Sequence, residues 1–481
     1  MRWLIYLNRD TILPMKKTLV WGFDQSYNID VLTYLQDKKI IDLKYWVKEE
    51  DKKDKVQCDD VGLFFDFFLF SQFKPTTLPP LAVFRALEGH MLEFVMMHAR
   101  HQMAFYPFES VLTRNIYDDY NLFYRLVSFF YEKLTEHKVE LVIFANIFHE
   151  GADYILYLVA QHLNIQTVMF YQSLFPNKAF CIEKIEEMGG ILESRPQLSS
   201  PSTVEIPRGF KKSLFYMNQV GSAATQLEEL ENKYSVREFV KQRKWTFIKN
   251  ILFNNFDYVE REMQNRGPGS RISKLKQYIQ NYHASAVKDI DLSAKFVYFP
   301  LHLQPELTTA SLGSVYVDQV RAIEDLAEML PEDMLIYVKE NPKQWEAMRP
   351  PDFFQRLAQI PKVRLVSVDV DTYALIQKCQ FVAVVTGTAG WEAVTGGRNV
   401  LTFGLAWYNN LPGVFRFSDS PTVDQIMAFN IDHSQLVQTF KELTTRMTDG
   451  IVDGAYIDIY PEFSKESNAE SIGSAIHAVV Q

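Results

Sequence analysis

Four stretches of the chain put polar side chains where an apolar run ends. In "VVTGTAGWEAVTGG" (384–397), a strand-like run delivers Thr386, Gly387, Thr388, Ala389 and Gly390 to the start of a helix. Backbone amides at a helix N-terminus favour an anion, hydroxyls add donors, and glycines let a backbone approach a ligand closely. The stretch reads either as a phosphate or sugar-nucleotide cradle or as a tight turn with a threonine cap. Glu392, just inside the helix, suits ribose or sugar hydroxyls, or only the helix dipole. In "IYVKENPKQ" (336–344), Lys339 and Lys343 flank Asn341 and the turn-fixing Pro342. That suits a phosphate partner or a solvated basic turn. "YFPLHLQPELTTASLG" (298–313) carries His302, Gln304, Glu306, Thr308 and Thr309 on one loop, denser in polar groups than a routine connection, with His302 and Gln304 as candidate contacts to a nucleotide-linked ligand. In "FANIFHEGADY" (144–154), His149 and Glu150 precede a helix opened by Gly151. Glu150 reads as a general base toward a hydroxyl or as a carboxylate favouring its helix dipole.

Other polar patterns point to plainer roles. "DVD" at 369–371 has the spacing of a metal-binding pair, but Asp371 directly precedes the helical "TYALIQKC" and is read as its N-cap. No metal site is expected. The basic stretch at 236–249 mixes Lys and Arg with Trp and Phe. It reads as a solvated helix face, with peripheral contact to an anionic membrane as the other reading. Trp391 is expected to pack, and Gly396-Gly397 to stop the helix.

The elements that must position these loops follow from periodicity. "KTLVWGF", a helical "IDVLTYLQDKK" and "IDLKYWV" form a β-α-β unit. Its turn lacks GxGxxG, so it carries no dinucleotide fingerprint. Residues 80–137 are helical in pattern. "VELVIFANIF", "GADYILYLVAQHLN" and "IQTVMFYQS" form a second β-α-β unit. Residues 180–285 break the pattern and read as a helical insert leading to a linker near 284–294. From "KFVYFPLHL" onward, strands and helices alternate through "NVLTFG", and a last helix covers the tail. The expected fold is α/β: two Rossmann-type doubly wound domains facing a cleft, with a helical insert. The expected boundaries are 1–285, 286–465 and a terminal helix at 466–481. Met15 opens "MKKTLVWGF", a natural beginning, so residues 1–14 read as an upstream start or extension.

Size and charge agree. A chain of 481 residues exceeds one compact core. Its net charge of −9 argues against a nucleic-acid binder. Cys58, Cys181 and Cys379 are widely spaced, without a zinc or disulfide pattern, which fits a reducing cytoplasm. The apolar "VGLFFDFFLF" is too short to span a bilayer.

Taken together, "LHLQPELTTASLG", "YVKENPKQ" and "TGTAGWEAVTGGRNVLTFGLAWYNNLPGVF" resemble the bacterial capsule polysaccharide biosynthesis family. That family includes Kdo transferases of capsule and O-antigen glycans, and its members are similar to GT-B glycosyltransferases. The resemblance covers about 295–420 and, less specifically, "FHEGADYILYLVAQHLNIQTVMFYQS"; it gives no counterpart for 180–285. It implies a metal-independent, GT-B-like transferase without a cofactor, taking a nucleotide-sugar donor and a glycan or lipid-linked glycan acceptor. CMP-Kdo, or another CMP-activated ulosonic acid, is the donor it suggests. Lys339-Glu340-Asn341-Pro342 resembles the Lys-x-His-Pro turn that holds the nucleotide, with Asn341 in the place of His. Thr386-Gly387-Thr388 resembles the turn for the donor phosphate. The family's loop carries acidic residues implicated in the chemistry; here Glu306, in place of Asp, is the one acid available and the candidate nucleophile, and Glu150 is the candidate acceptor-side base. A UDP- or GDP-sugar transferase, or a non-catalytic assembly or export factor, remains an alternative.

Overall fold

The apolar runs form the strands of two separate sheets. The computed structural model describes residues 14–49, 55–63, 77–95, 97, 116–175, 177–203, 205–206, 278–304, 307–342, 344, 349 and 352–481. The first sheet contains β1 (Lys16–Trp21), β2 (Ile41–Lys48), β3 (Asp60–Leu63), β4 (Leu141–Phe144), β5 (Gln166–Gln172) and β6 (Lys178–Ile182), with β13 (Met447–Asp449) added from the end of the chain. Its order is β13-β6-β5-β4-β1-β2-β3. The strands from β5 to β3 run parallel; β6 and β13 are antiparallel to their neighbours. The second sheet has β7 (Phe296–Pro300), β8 (Leu335–Lys339), β9 (Val363–Val366), β10 (Val382–Val384), β11 (Val400–Thr402) and β12 (Val414–Arg416). Its order is β12-β11-β10-β7-β8-β9, parallel throughout.

Strands buried on both faces need no polar alternation, which explains the continuous runs of the second sheet. Helices α1 (Asp30–Asp37), α2 (Ile116–Glu136), α3 (Ala152–His162), α4 (Gln319–Met329), α5 (Thr372–Lys378) and α6 (Thr388–Thr395) connect or cover these strands. In α4, Val320, Ile323 and Leu326 recur at helical spacing and are buried, and Asp318 caps its start by accepting from the Val320 amide. The aligned helix and sheet patterns give the two Rossmann-type domains expected.

In both sheets the chain starts at an inner strand, builds outward on one side, then crosses to build on the other. The reversal falls between β1 and β4 in the first sheet and between β7 and β10 in the second. Loops leaving the carboxyl ends of such strand pairs part in opposite directions and leave a crevice, where ligands of open α/β sheets bind.

The domain limits differ from those read in the sequence. Residues 180–182, expected to open the insert, belong to β6 of the first sheet. The helical residues 278–285, expected on the N-terminal side, bury Tyr278 and Tyr282 in the second domain's core against Phe354. Between them, 207–277, with the basic stretch at 236–249, lie outside the described residues. At the far end, β13 falls in the range expected for the second domain, yet pairs with β6. Helix α7 (His433–Thr445) leads into it, and α8 (Lys465–Val480) then packs on α1, with Ile472 and Ile476 buried in the first domain's core. The chain thus crosses between domains twice. Aromatic packing seals the crossing: Phe175 meets Trp391, Trp407 and Phe440 at centroid distances of 5.9, 6.0 and 5.1 Å. Trp391 is accordingly a packing residue, as its place one turn into α6 suggests. No helix among the described residues is long and apolar enough to cross a membrane.

Candidate functional site

Each crevice is a real cavity. The larger, 460 Å³, lies where β7 and β10 part, and it is also walled by Tyr171, Gln172 and Leu174 at the end of β5. It therefore spans both domains. Of the residues singled out in the sequence, His302, Lys339, Asn341, Pro342, Thr386, Gly387, Thr388, Ala389 and Glu392 line it. Three loops far apart in the chain do converge.

Lys339 ends β8 inside this cavity. Its ammonium donates to the Val370 carbonyl at 2.6 Å and the Thr372 hydroxyl at 2.8 Å. An ammonium has three protons, so one remains for a ligand. Burial lowers its pKa to about 8, against the opposing pull of Asp371 and Asp369. Asp371 itself caps α5, accepting from the Tyr373 amide at 3.1 Å, so the second acid of "DVD" holds a helix.

The turn into α6 is built differently from its sequence reading. Gly387, not a threonine, is the N-cap, and no side chain caps the helix. The Thr386 hydroxyl donates to the Thr308 carbonyl at 2.7 Å, and the Thr386 amide donates to His302 Nε2 at 3.0 Å. A helix's first turn leaves amides without intrahelical partners. Here those of Thr388 and Ala389 stand at the cavity wall, while the Gly390 amide donates to the Gly387 carbonyl at 3.0 Å. The glycines answer to protein neighbours rather than to a ligand. A Cβ on Gly387 would stand 2.7 Å from His302 Nε2, and one on Gly390 would run into the Tyr408 hydroxyl. Gly390 does not line the cavity. The end of α6 follows expectation. Gly397 takes φ +84°, its amide donates to the Val394 carbonyl, and the Arg398 amide donates to the Ala393 carbonyl, the paired bonds of a Schellman stop.

His302 is 7% exposed. Because Nε2 accepts from an amide, the neutral ring carries its proton on Nδ1, which has no hydrogen-bond partner. Burial, aided by the Arg349 charge, holds its pKa down to about 3. The ring is thus neutral, with its Nδ1 enclosed and its Nε2 committed to the Thr386 amide.

Gln304, expected on the donor, is not at the cavity. It accepts from Arg349 Nη1 at 2.6 Å, donates to the Val317 carbonyl, and exchanges backbone bonds of 2.8 and 2.9 Å with the Gln344 side chain. It clamps the loop that carries His302. Glu306, on the same loop, lies outside the described residues.

The second cavity, 330 Å³, lies where β1 and β4 part, with Trp21, Asn28, Lys48, His149, Glu150 and Asp153 among its walls. Glu150 and His149 are therefore in the other domain's crevice and do not line the larger cavity. His149 Nδ1 lies 3.0 Å from the Ile147 carbonyl, and its Nε2 lies 3.9 Å from Glu150 Oε1. The Glu150 side chain is 15% exposed, and its Oε2 has no hydrogen-bond partner. Burial first, then the Asp153 charge, pushes its pKa well above the usual carboxylate range. The acid serving the helix start is Asp153, which the sequence reading passed over. It accepts from the His149, Glu150 and Tyr154 amides at 2.8, 2.9 and 2.8 Å. The two loops meet where the Ser311 hydroxyl donates to the Phe148 carbonyl.

Tyr298, Thr372, Tyr373 and Tyr456 also line the larger cavity, with Arg349 behind it, and were not singled out in the sequence. Tyr298 and Thr372 sat within elements read only as strand and helix. Arg349, in "AMRPP", gave no signal.

Comparison with known proteins bears on these loops. Residues 213–419 match the family described as "Capsule polysaccharide biosynthesis protein". The family resemblance holds over that span. It takes in Lys339, the Thr386–Ala389 turn and His302, and it begins inside the stretch read as an insert without counterpart. Protein FixF of Sinorhizobium fredii (strain NBRC 101917 / NGR234) is 27% identical over 146 residues, 29% of this chain and 34% of that protein. The chain thus spans about a third of the length of this curated relative. Among solved structures, the Thermosulfurimonas dismutans KpsC, beta Kdo 2,7 transferase, overlaps 73% of this chain and 89% of its own at 9% identity and a TM-score of 0.31. The UDP-GlcNAc 2-epimerase from Methanocaldococcus jannaschii overlaps 97% and 99% at 12% identity and a TM-score of 0.23. The fold assignment rests on the strand orders given above.

Proposed function

We propose that the protein is a glycosyltransferase of bacterial surface polysaccharide synthesis. The observation that carries this is the convergence, in one crevice at the strand-order reversal, of a buried lysine, the start of a helix and a neutral histidine ring that holds the turn between them. Together they suit the phosphate and sugar of a nucleotide-sugar. Lys339 and the Thr388 and Ala389 amides would take the phosphate charge without a metal, and the Asn341-Pro342 turn would face the nucleoside. Glu392 would take sugar or ribose hydroxyls.

The first-domain crevice would hold the glycan acceptor. A carboxyl pushed up by burial is a better proton acceptor once ionised, which suits Glu150 to deprotonate an acceptor hydroxyl. Glu306 would supply the donor-side carboxylate. CMP-Kdo or a related CMP-activated ulosonic acid is the donor that the family resemblance favours. The work would take place in the cytoplasm, with the basic stretch at 236–249 as the point of peripheral membrane contact.

The test is a binding screen of the full chain against CMP, UDP and GDP, followed by a crystal soak with the nucleotide that binds. CMP should raise the melting temperature most, with density between 339–342 and 386–390. Stabilisation by UDP or GDP alone overturns the CMP donor. Absence of any nucleotide binding in a folded sample overturns the transferase in favour of a non-catalytic assembly factor.

A further inference from the structure

Two buried side chains hold the donor-side loops from behind: Gln319 accepts from the His302 amide at 2.7 Å and donates to its carbonyl at 3.1 Å, and Arg349 ties that loop to the others. Arg349 is wholly buried and does not line the cavity. Its guanidinium forks onto Glu340, with Nη2 2.7 Å from Oε1 and Nε 3.1 Å from Oε2. Nη2 also donates to the His302 carbonyl at 2.9 Å, and Nη1 donates to Gln304 Oε1 at 2.6 Å. The plane lies over Phe353 at 4.6 Å. Glu340 in turn accepts from the Asn341 amide at 2.7 Å and from the Tyr278 hydroxyl at 3.3 Å. A buried charge is tolerated only when its partners are all in place, so these bonds fix each other's geometry.

The contacts run in one direction toward the cavity. Arg349 sets the Glu340 carboxylate, and Glu340 sets the Asn341 turn. Arg349 also sets the His302 backbone, and the His302 ring accepts from the Thr386 amide at the start of the phosphate-side turn. Three loops, 301–304, 340–342 and 386–388, thus share one anchor. Arg349 has a second effect on the ring. A cation this close opposes a second proton on the imidazole, and a doubly protonated ring could not accept from Thr386.

We infer that Arg349 is the positioning residue of this site. It holds the His302 loop and the Glu340–Asn341 turn in the arrangement where the His302 ring accepts from the Thr386 amide and keeps its Nδ1 proton. The inference rests on the donor-site reading for its consequence in binding, but not for its geometry. A lysine could not replace Arg349, because a point charge cannot fork onto a carboxylate while serving a carbonyl and an amide oxygen.

Two readouts on the full chain test it. Nitrogen NMR of ¹⁵N-histidine-labelled protein reports which His302 nitrogen carries the proton, and titration with CMP, UDP and GDP reports binding. In wild type, His302 should show a single neutral form protonated at Nδ1. In Arg349→Lys, a folded sample should show mixed His302 forms and nucleotide binding weakened about tenfold or more. A single Nδ1–H form with undiminished affinity in folded Arg349→Lys overturns the inference. Should Arg349→Lys not fold, the charge-free pair Arg349→Met with Glu340→Gln takes its place under the same criteria. Failure of both to fold makes Arg349 a stability element and also overturns it. If wild type binds none of the three nucleotides, the donor-site reading fails, and the His302 proton position alone decides on Arg349.

Discussion

His302 should make the second domain sensitive to mild acid. In the unfolded chain a histidine titrates near 6.5, whereas in the fold burial and Arg349 hold His302 to about 3. Between those values the unfolded state binds a proton that the folded state refuses. Stability is therefore full above about pH 6.5 and falls as the pH drops toward 3. Each unit below the unfolded value is worth about 1.4 kcal/mol, so lowering the pH from about 7.5, where both states are neutral, to about 5 removes about 2 kcal/mol, or about thirtyfold in the opening equilibrium. Other groups titrate in the same window, so the measurement is a difference between wild type and His302→Gln. Glutamine keeps an acceptor for the Thr386 amide and carries no titrating proton. Amide hydrogen exchange of peptides from β7 and β10 reads the local opening without requiring the two domains to unfold together. The advantage of wild type over His302→Gln should shrink about thirtyfold between about pH 7.5 and about pH 5. A ratio that stays constant across that range refutes the assignment of His302 as a buried neutral acceptor.

Three further outcomes are expected. Gly387→Ala adds a Cβ 2.7 Å from His302 Nε2 and should displace the ring from the Thr386 amide; leaving a buried amide unpaired costs about 1–3 kcal/mol, read as a lower denaturation midpoint. Backbone strain plays no part there, since Gly387 sits at φ −67°. Lys339→Met should weaken nucleotide binding by about tenfold to a hundredfold in calorimetry, and wild-type affinity should fall as the pH rises through about 8, where Lys339 loses its proton, while the variant stays flat. Glu150→Gln and Glu306→Gln should each reduce sugar transfer by about a hundredfold or more with the fold intact; for Glu150→Gln the nucleotide affinity should be unchanged, because Glu150 lines the other crevice.

The second sheet was legible in the sequence because a strand covered on both faces is a continuous apolar run, and its polar loops stand out against it. The same physics hid other strands. β13 has three residues, and nothing local distinguishes "MTD"; its partner β6 lies more than 250 residues earlier, so only the completed fold gives it a sheet. The first sheet's edge strand β3 begins inside an acidic, lysine-rich stretch that reads as loop. Among site residues, those that act through position on a strand end were found: Lys339, His302 and the Thr386–Ala389 turn all reach the cavity. Those whose use depends on a distant partner were not. Gln304 has the right chemistry for a ligand, but Arg349 and Gln344 already occupy its side chain and backbone. Asp153 and Glu150 stand three residues apart, and only burial shows that the first serves the helix while the second is left with an unpartnered oxygen.

Thr386, Gly387, Thr388 and Ala389 line the crevice, and Gly390 does not. Small residues there looked like room for a ligand. In the structure Gly387 makes room for an imidazole and Gly390 for a phenol. That exchange has a consequence for how the turn works. A cradle shaped by its ligand would relax when empty, whereas this one is held by the His302 ring on one side and by Tyr408, which donates to the Gly387 carbonyl at 2.5 Å, on the other. In the proposed phosphate site the helix start is thus ordered before any ligand arrives, and binding would not have to cover the cost of ordering it. The same holds for Lys339, fixed by Val370 and Thr372. A proposed site with its groups fixed in this way would gain affinity from what it leaves unpaired, the third ammonium proton and the first amides of α6, while the histidine, kept neutral by the arginine behind it, holds the turn in place.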